Sequence, residues 1–359
     1  MHFGLDASRV TVAQRTGTER YALELIRALL ALNAPHHFTL YFRDAPAPHL
    51  LPASPQRVDR VIPFPRLWTH VRLSFELLTS PRPATLFIPA HVLPLVHPLP
   101  TVVTVHDLGY RHFPDAHPLT QRLYLDLSTR FAVRQATHLI ADSEATQRDL
   151  QRLYHAPMDK ITVVYPGRDE ALRRVDPAPV RAKYQLPDAY LLHVGTLQPR
   201  KNLLRLIEAF AQLPPPITLV LAGRPGWLAA PILAAARQHP RIRLLDYVPE
   251  ADLAGLYSGA HAFVFPSLYE GFGFPVLEAM ACGTPVVCAN TASLPELVGE
   301  AALLVDPLDT AGLTAALERV LNDADLRATL VEKGYRQIQN FTWAKTARET
   351  LRVLEGVAR

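Results

Sequence analysis

Residues 260–265 (AHAFVF) form a short apolar run. After it comes SLYEGFGFPVLEAMACGTP, and then a second apolar run at 286–289 (VVCA). Runs this short, apolar without alternation and bounded by turn residues read as strands buried on both faces of a parallel sheet. Between them a helix starts at about Phe274. Pro275 suits its first turn, where a missing N–H costs nothing, and Gly283, Thr284 and Pro285 end it. A strand, a loop carrying Gly271 and Gly273, and a helix N-terminus together aim backbone N–H groups and the helix dipole at an anion. Two carboxylates flank that arrangement, Glu270 before the helix and Glu278 inside its opening turns. Bare carboxylates repel phosphate. The pattern therefore calls for a ligand that is part phosphate and part polyol, its hydroxyls gripped by the acids and its phosphate oxygens by the N–H groups.

The rest of the chain repeats this alternation. Residues 2–6, 38–43, 58–63, 85–88, 101–106, 137–141 and 161–164 read as strands, with helices at 19–32, 67–79, 119–135 and 144–154. Pro166 and Gly167 break the pattern, and the charged, proline-rich residues 168–187 read as a linker. A second series of strands follows at 190–194, 217–222, 242–245, 262–265, 286–289 and 302–305. Its helices include 203–212, 251–257, 310–321 and 325–337. A closing helix over 344–357 comes after a break at 340–343. The chain is α/β: two doubly wound parallel sheets, with ligands expected at the carboxyl ends of the strands. A length of 359 residues suits two such domains.

The net charge is +4 with no dense basic run, which fits a polyphosphate ligand and excludes nucleic acid as the expected partner. The first residues, MHFGLDASRV, lack the basic stretch and apolar core of a secretory signal, and no apolar run approaches the ~20 residues needed to span a bilayer. Cys282 and Cys288 fall on predicted helix and strand, so buried packing in a reducing cytoplasm is expected. The helix WTHVRLSFELL at 68–78 has apolar faces and cations. Burial inside the first domain is the expectation for it, and peripheral contact with the inner membrane surface is the alternative.

The spacing Glu270-x7-Glu278, set in EGFGFPVLEAMACGTPVV, closely resembles the signature of retaining glycosyltransferases of the GT-B fold, in particular glycosyltransferase family 4. The resemblance covers nearly the whole chain. It implies two Rossmann-like domains facing a central cleft: an acceptor domain at 1–167, joined by the returning helix 343–359, and a donor domain at 168–342. It implies that Glu270 contacts the donor sugar, that Glu278 contacts the ribose, and that Phe272, Gly273 and Phe274 lie in the donor-binding stretch.

The second domain opens with HVGTLQPRKN, residues 193–202, a strand ending at Gly195 with two cations before a helix. Gly195 allows close backbone approach, and Arg200 and Lys201 supply charge at a helix start, where the dipole disfavours them unless an anion is present. The resemblance assigns this pair to the donor diphosphate. In the first domain, His106, at the end of a buried strand in TVHDL, is similar to the family's histidine that reaches the transferred sugar. Asp107 reads as a loop residue or helix cap. Gly17 and Thr18, after Gln14, Arg15 and Thr16, stand where many members carry two glycines that touch phosphate or acceptor, and here only one is present. Asp142 and Ser143 both read as helix caps. Val248, after the strand at 242–245, resembles the segment lying against the nucleotide base.

Other signals carry less. Asp323-Ala324-Asp325 spells the DxD of metal-dependent transferases but sits between two helices, where capping explains it. His91, His97, His106, His112 and His117 show no paired metal-ligand spacing, and no GxGxxG follows either first strand. The reading is a cytoplasmic, retaining hexosyltransferase with no cofactor and no metal requirement. Its partners are a nucleotide-sugar donor and a glycan or lipid-linked acceptor. The stretch PAHVLPLVHPLPTVVTVHDLGYRHFPD looks most like members that use GDP-mannose. A UDP-sugar donor stays open, as do a two-domain glycoside hydrolase, a sugar-nucleotide epimerase and a plain binding module.

Overall fold

A computed structural model describes residues 1–12, 17–90, 92–116 and 118–358. The chain divides into two compact units. The first comprises Met1–Leu108, Leu119–Gly167 and Phe341–Arg359; the second comprises Gly109–Pro118 and Arg168–Asn340.

The first unit holds a seven-stranded parallel sheet of β1 (His2–Asp6), β2 (His37–Phe42), β3 (Arg57–Val61), β4 (Thr85–Ile88), β5 (Thr101–Val105), β6 (His138–Ala141) and β7 (Ile161–Val163). The spatial order is β3-β2-β1-β4-β5-β6-β7, so the winding reverses between β1 and β4. Leu5 of β1 stands beside Leu40 on one side and Phe87 on the other, and all three are fully buried. Edge strand β3 (RVDRV) is largely exposed, which its charges make tolerable. The closing helix Trp343–Val357 packs on the helix Gly17–Ala31. A side chain at Gly167 would collide with the backbone of Trp343, so glycine is what lets the chain pass there. Thr342 caps the closing helix through the Lys345 N–H, and Thr346 donates to the Tyr165 carbonyl at 2.8 Å.

The second unit holds a six-stranded parallel sheet: β8 (Tyr190–Val194), β9 (Thr218–Ala222), β10 (Ile242–Leu245), β11 (Ala262–Phe265), β12 (Val286–Ala289) and β13 (Ala302–Val305). Its order is β10-β9-β8-β11-β12-β13, with the reversal between β8 and β11. Strands β11 and β12 are buried on both faces, as uninterrupted apolar runs require. Cys282 and Cys288 are free, unbridged thiols in this core, and burial pushes both up to about 12.

Two expectations need correction. The stretch 168–187 is not a bare linker: it contains the helix Ala178–Tyr184, whose Val180 packs so closely against Gly255 that a Cβ there would stand 2.5 Å away. Lys183 and Tyr184 each reach Asp252 at 2.6 Å. Proline at the start of that helix occupies the turn that tolerates it, which is why composition misleads. The second correction concerns the helix after β3. The π-helical turn Trp68–Leu73 runs into the helix Ser74–Thr79. Trp68, Leu73 and Leu77 are buried, but Val71, Phe75 and Leu78 face outward.

Candidate active site

In an open parallel sheet, the loops leaving two adjacent strands on either side of a winding reversal part and leave a crevice. In the second unit those loops follow β8 and β11, and they carry Gly195 with the Arg200–Lys201 pair and Glu270 respectively.

Backbone hydrogen bonds hold the start of the β8 loop from beneath. Gly195 N–H donates to the Ala222 carbonyl at 2.9 Å, Leu197 N–H to the Arg224 carbonyl at 2.9 Å, and Gly226 N–H to the Leu197 carbonyl at 2.8 Å. Gly195 and Gly223 both have strongly positive φ, +152° and +147°. The turn Pro199–Lys201 ends in Asn202, whose backbone is left-handed and whose amide donates to the carbonyls of Pro266 at 3.1 Å and Pro307 at 2.7 Å. Leu268 N–H donates to the Arg200 carbonyl at 2.9 Å. The two cations thus sit on a turn clamped to the β11 loop.

Their side chains converge on one carboxylate. Lys201 Nζ is 2.6 Å from Glu270 Oε1 and lies 4.6 Å above the centroid of the Phe265 ring. Arg200 Nη1 is 2.9 Å from Glu270 Oε2 and also donates to the Tyr269 carbonyl. Lys201 and Glu270 are both buried. Burial alone would raise the Glu270 carboxyl, but the charges of Arg200 and Lys201 outweigh it and hold the group at about 2. Its backbone is fixed as well, since Ser293 Oγ lies 2.9 Å from the Glu270 carbonyl and 2.6 Å from that of Phe272.

Gly273 enters the next helix, Phe274–Ala281, with φ +125°. Its missing side chain leaves room for Leu294 and Leu297, each with a methyl 3.0 Å from where a Cβ would stand. Phe272 and Phe274 stack edge to face with centroids 5.1 Å apart across this entry. Glu278 is buried on the helix and accepts a 2.9 Å hydrogen bond from the Tyr257 hydroxyl. Val248 is buried after β10, at the edge of the sheet, where the Arg224 guanidinium stacks 4.7 Å over the neighbouring Tyr247 ring.

Three relationships here escape sequence reading. His193, near the end of β8, is fully buried and stacks on both Phe263 and Phe265, whose rings also lie against each other. Its Nδ1 faces the Val264 carbonyl at 3.0 Å and therefore carries the proton, while Nε2 has no hydrogen-bond partner among the described residues. Burial, with Lys201 nearby, lowers this imidazole to about 4. His112 stacks on Tyr269, the residue before Glu270, with ring centroids 4.6 Å apart. Tyr257, the partner of Glu278, comes from the preceding helix Glu250–Ser258.

The first unit carries the remaining predicted residues. Gly17 and Thr18 open the helix Gly17–Ala31, while Gln14, Arg15 and Thr16 lie outside the described residues, as do His91 and His117. His106 follows β5 and is held at both ring nitrogens, Nδ1 by Asp142 at 2.7 Å and Nε2 by the Pro89 carbonyl at 3.1 Å. Both partners accept, so the doubly protonated ring fits best. Burial opposes that charge, but Asp142 and the Pro89 carbonyl raise the imidazole above its ordinary value. Asp142 is therefore not a helix cap. Ser143 alone caps the helix Glu144–Tyr154, accepting from Thr146 N–H at 3.1 Å. Asp323 caps its helix by accepting from Leu326 N–H at 2.8 Å, which accounts for the DxD tripeptide.

Two doubly wound sheets, with a carboxylate and two cations gathered at the winding reversal of the second, match the arrangement that the GT-B resemblance implies. Residues 15–172 match the family described as glycosyltransferase family 4, and residues 180–337 match glycosyl transferases group 1. The chain belongs to glycosyltransferase family 4. It is 33% identical to the O-antigen chain mannosyltransferase B of Escherichia coli across 94% of this chain and 95% of that protein. Among solved structures, sucrose-phosphate synthase from Thermosynechococcus elongatus superposes with a TM-score of 0.79 at 24% identity, covering 99% of this chain and 98% of the other. Anabaena Alr3699/HepE in complex with UDP and glucose superposes with a TM-score of 0.75 at 21% identity, covering 99% of both chains. At these identities the structures speak for the fold.

Proposed function

We propose that this enzyme transfers mannose from GDP-mannose to a glycan or lipid-linked acceptor, with retention at the anomeric carbon and without a metal, in the cytoplasm. The observation that carries the reading is the buried Glu270 carboxylate bracketed by Arg200 and Lys201 at the β8–β11 reversal. Mannose is supported by the near full-length similarity to a mannosyltransferase. Retention is supported by family membership.

In this mechanism Arg200 and Lys201 bind the donor diphosphate and stabilise the charge that grows on it as the glycosidic bond breaks. A diphosphate competes with Glu270 for the same two cations. Its arrival frees the carboxylate to hold sugar hydroxyls and to face the positive charge developing at the anomeric carbon. Glu278, oriented by Tyr257, takes the ribose. Gly195 and the N–H groups of Gly273 and Phe274 admit phosphate oxygens close to backbone. His106 would have to release the Pro89 carbonyl before donating to a sugar, and the mechanism gives it no step.

A second reading is a UDP-sugar donor, the kind of ligand named with one neighbour that shares this fold. Thermal stabilisation by GDP, UDP, ADP and their sugar conjugates, in EDTA and then in magnesium, separates the two. A ligand at a hundred times its Kd adds about 2.7 kcal/mol. A shift with GDP and GDP-mannose in EDTA is expected. A shift with UDP alone moves the assignment to the second reading, and none with any nucleotide removes the donor site. Acceptor-dependent release of GDP then distinguishes transfer from hydrolysis, and the anomeric proton of the product reports retention.

A further inference from the structure

His193 and Lys201 border one gap. A Cβ built on Gly195 would stand 3.5 Å from His193 Nε2, 3.7 Å from Lys201 Cε and 3.9 Å from Lys201 Nζ. Glycine at 195 leaves that volume without a side chain, so the edge of the imidazole and the ammonium share it. The Phe265 ring lies against both groups. Its centroid is 4.6 Å from Nζ and 5.6 Å from the centroid of the imidazole.

The two groups are chemically complementary. The Nδ1 proton of the fully buried His193 is committed to the Val264 carbonyl at 3.0 Å, so Nε2 keeps a lone pair and can only accept. Burial, with Lys201 adding to it, lowers the imidazole to about 4, so the ring is neutral at neutral pH. Nε2 has no partner among the described residues, and native proteins leave few buried acceptors unpaired because the omission is costly. An ammonium has three N–H donors and accepts nothing. One of those of Lys201 goes to Glu270 Oε1 at 2.6 Å. In the mechanism above, the donor diphosphate draws Lys201 away from that carboxylate. An ammonium released in this way needs new acceptors, and Nε2 waits across the Gly195 gap.

We propose that His193 is a positioning residue for the diphosphate: in the donor-bound enzyme its Nε2 accepts an N–H of Lys201 and fixes the direction in which the ammonium meets the phosphates. The inference rests on the donor reading given above. A neutral acceptor suits this task, since a carboxylate would compete with phosphate for the ammonium and a cation would repel it.

Two replacements separate the two ring nitrogens. The asparagine amide can stand in for the Nδ1 proton at the Val264 carbonyl but puts nothing at Nε2. The glutamine amide reaches as far as Nε2 and offers an acceptor there, while leaving that carbonyl unpaired. Titration calorimetry of wild type, His193→Asn and His193→Gln with GDP, GMP and GDP-mannose, beside melting curves without ligand, makes the test. The uridine series takes their place if the second reading holds. His193→Asn should bind GDP about tenfold more weakly, the size expected of one hydrogen bond to a charged group, with GMP unchanged. His193→Gln should melt lower than His193→Asn and yet bind GDP more tightly. Affinity that follows melting temperature in both variants, or equal losses for GDP and GMP, marks a purely structural histidine and overturns the proposal. So does a loss confined to GDP-mannose, which would make a sugar hydroxyl the donor to Nε2. If the wild type binds neither GDP nor UDP, the donor reading falls and this inference with it. If all three proteins bind the diphosphate alike, only the role of His193 is lost.

Discussion

A Cβ placed on Gly223 would lie inside 3.0 Å of both the carbonyl oxygen and the carbonyl carbon of Gly195, an approach real side chains do not make. Both obstructing atoms are backbone, so nothing flexible can yield. Gly223→Ala should therefore push the β8 loop off its register, at a cost of about 2 kcal/mol. It should also abolish the nucleotide-induced thermal shift. At Gly195 a Cβ would meet only ordinary contacts at 3.5–3.9 Å, so Gly195→Ala should cost about 1 kcal/mol, from its positive φ alone. Melting curves of the two variants, with and without nucleotide, check both values. Equal effects would contradict the packing argument.

The Lys201–Glu270 pair sets stability against activity. Lys201→Met leaves a buried carboxylate with Arg200 as its remaining cation and should destabilise the protein by about 3 kcal/mol. The double variant Lys201→Met, Glu270→Leu removes both charges and should recover much of that loss. Neither protein should retain more than about a hundredth of the wild-type transfer rate. Urea unfolding and transfer assays on the two variants test the separation, and recovery of activity along with stability would rule out the proposed roles.

Acid should find this site late. The Glu270 carboxyl sits at about 2 in the fold against an ordinary 4.5. A depressed carboxyl contributes its stabilisation in full above 4.5 and loses it as pH falls toward 2. The difference is on the order of 3 kcal/mol. Glu270→Gln should be less stable at neutral pH and lose less than the wild type between those two values. Denaturant midpoints across that range give the comparison, and parallel curves would exclude the linkage.

His106 has the opposite sign. Its imidazole is raised above 6.5 by Asp142 and the Pro89 carbonyl, so its contribution is complete below 6.5 and fades as pH climbs through the raised value. In Asp142→Asn the carboxylate is gone, and the melting temperature should change less on the alkaline side of 6.5. Imidazole proton shifts followed by NMR would show the His106 titration move down in that variant.

The sequence made some levels of this structure plain and hid others, for a physical reason. Strands Tyr190–Val194, Ile242–Leu245, Ala262–Phe265, Val286–Ala289 and Ala302–Val305 begin and end where sequence reading placed them, because each is a short, mostly apolar run between polar or turn-forming stretches. Gly195, Arg200, Lys201 and Glu270 were also visible as separate motifs. Their direct pairing was not, since Lys201 and Glu270 are 69 positions apart and meet only because β8 and β11 are neighbours. Asp142 looked like a cap because its own neighbours allow one, and its partner His106 stands 36 positions away. The helix after β3 has apolar residues on both faces, so periodicity alone does not say which face turns inward. Local chemistry can be read locally, whereas contacts between strand ends require the strand order.

Both cysteine thiols lie sealed in the second unit's core and are pushed up to about 12, so at neutral pH essentially none of either is thiolate. The natural chain is thus already a silent background for thiol chemistry. A cysteine introduced on the exposed helix after β3, at Leu78 for instance, would take a maleimide dye or a spin label alone. Such a label could then be followed spectroscopically without first replacing a native residue.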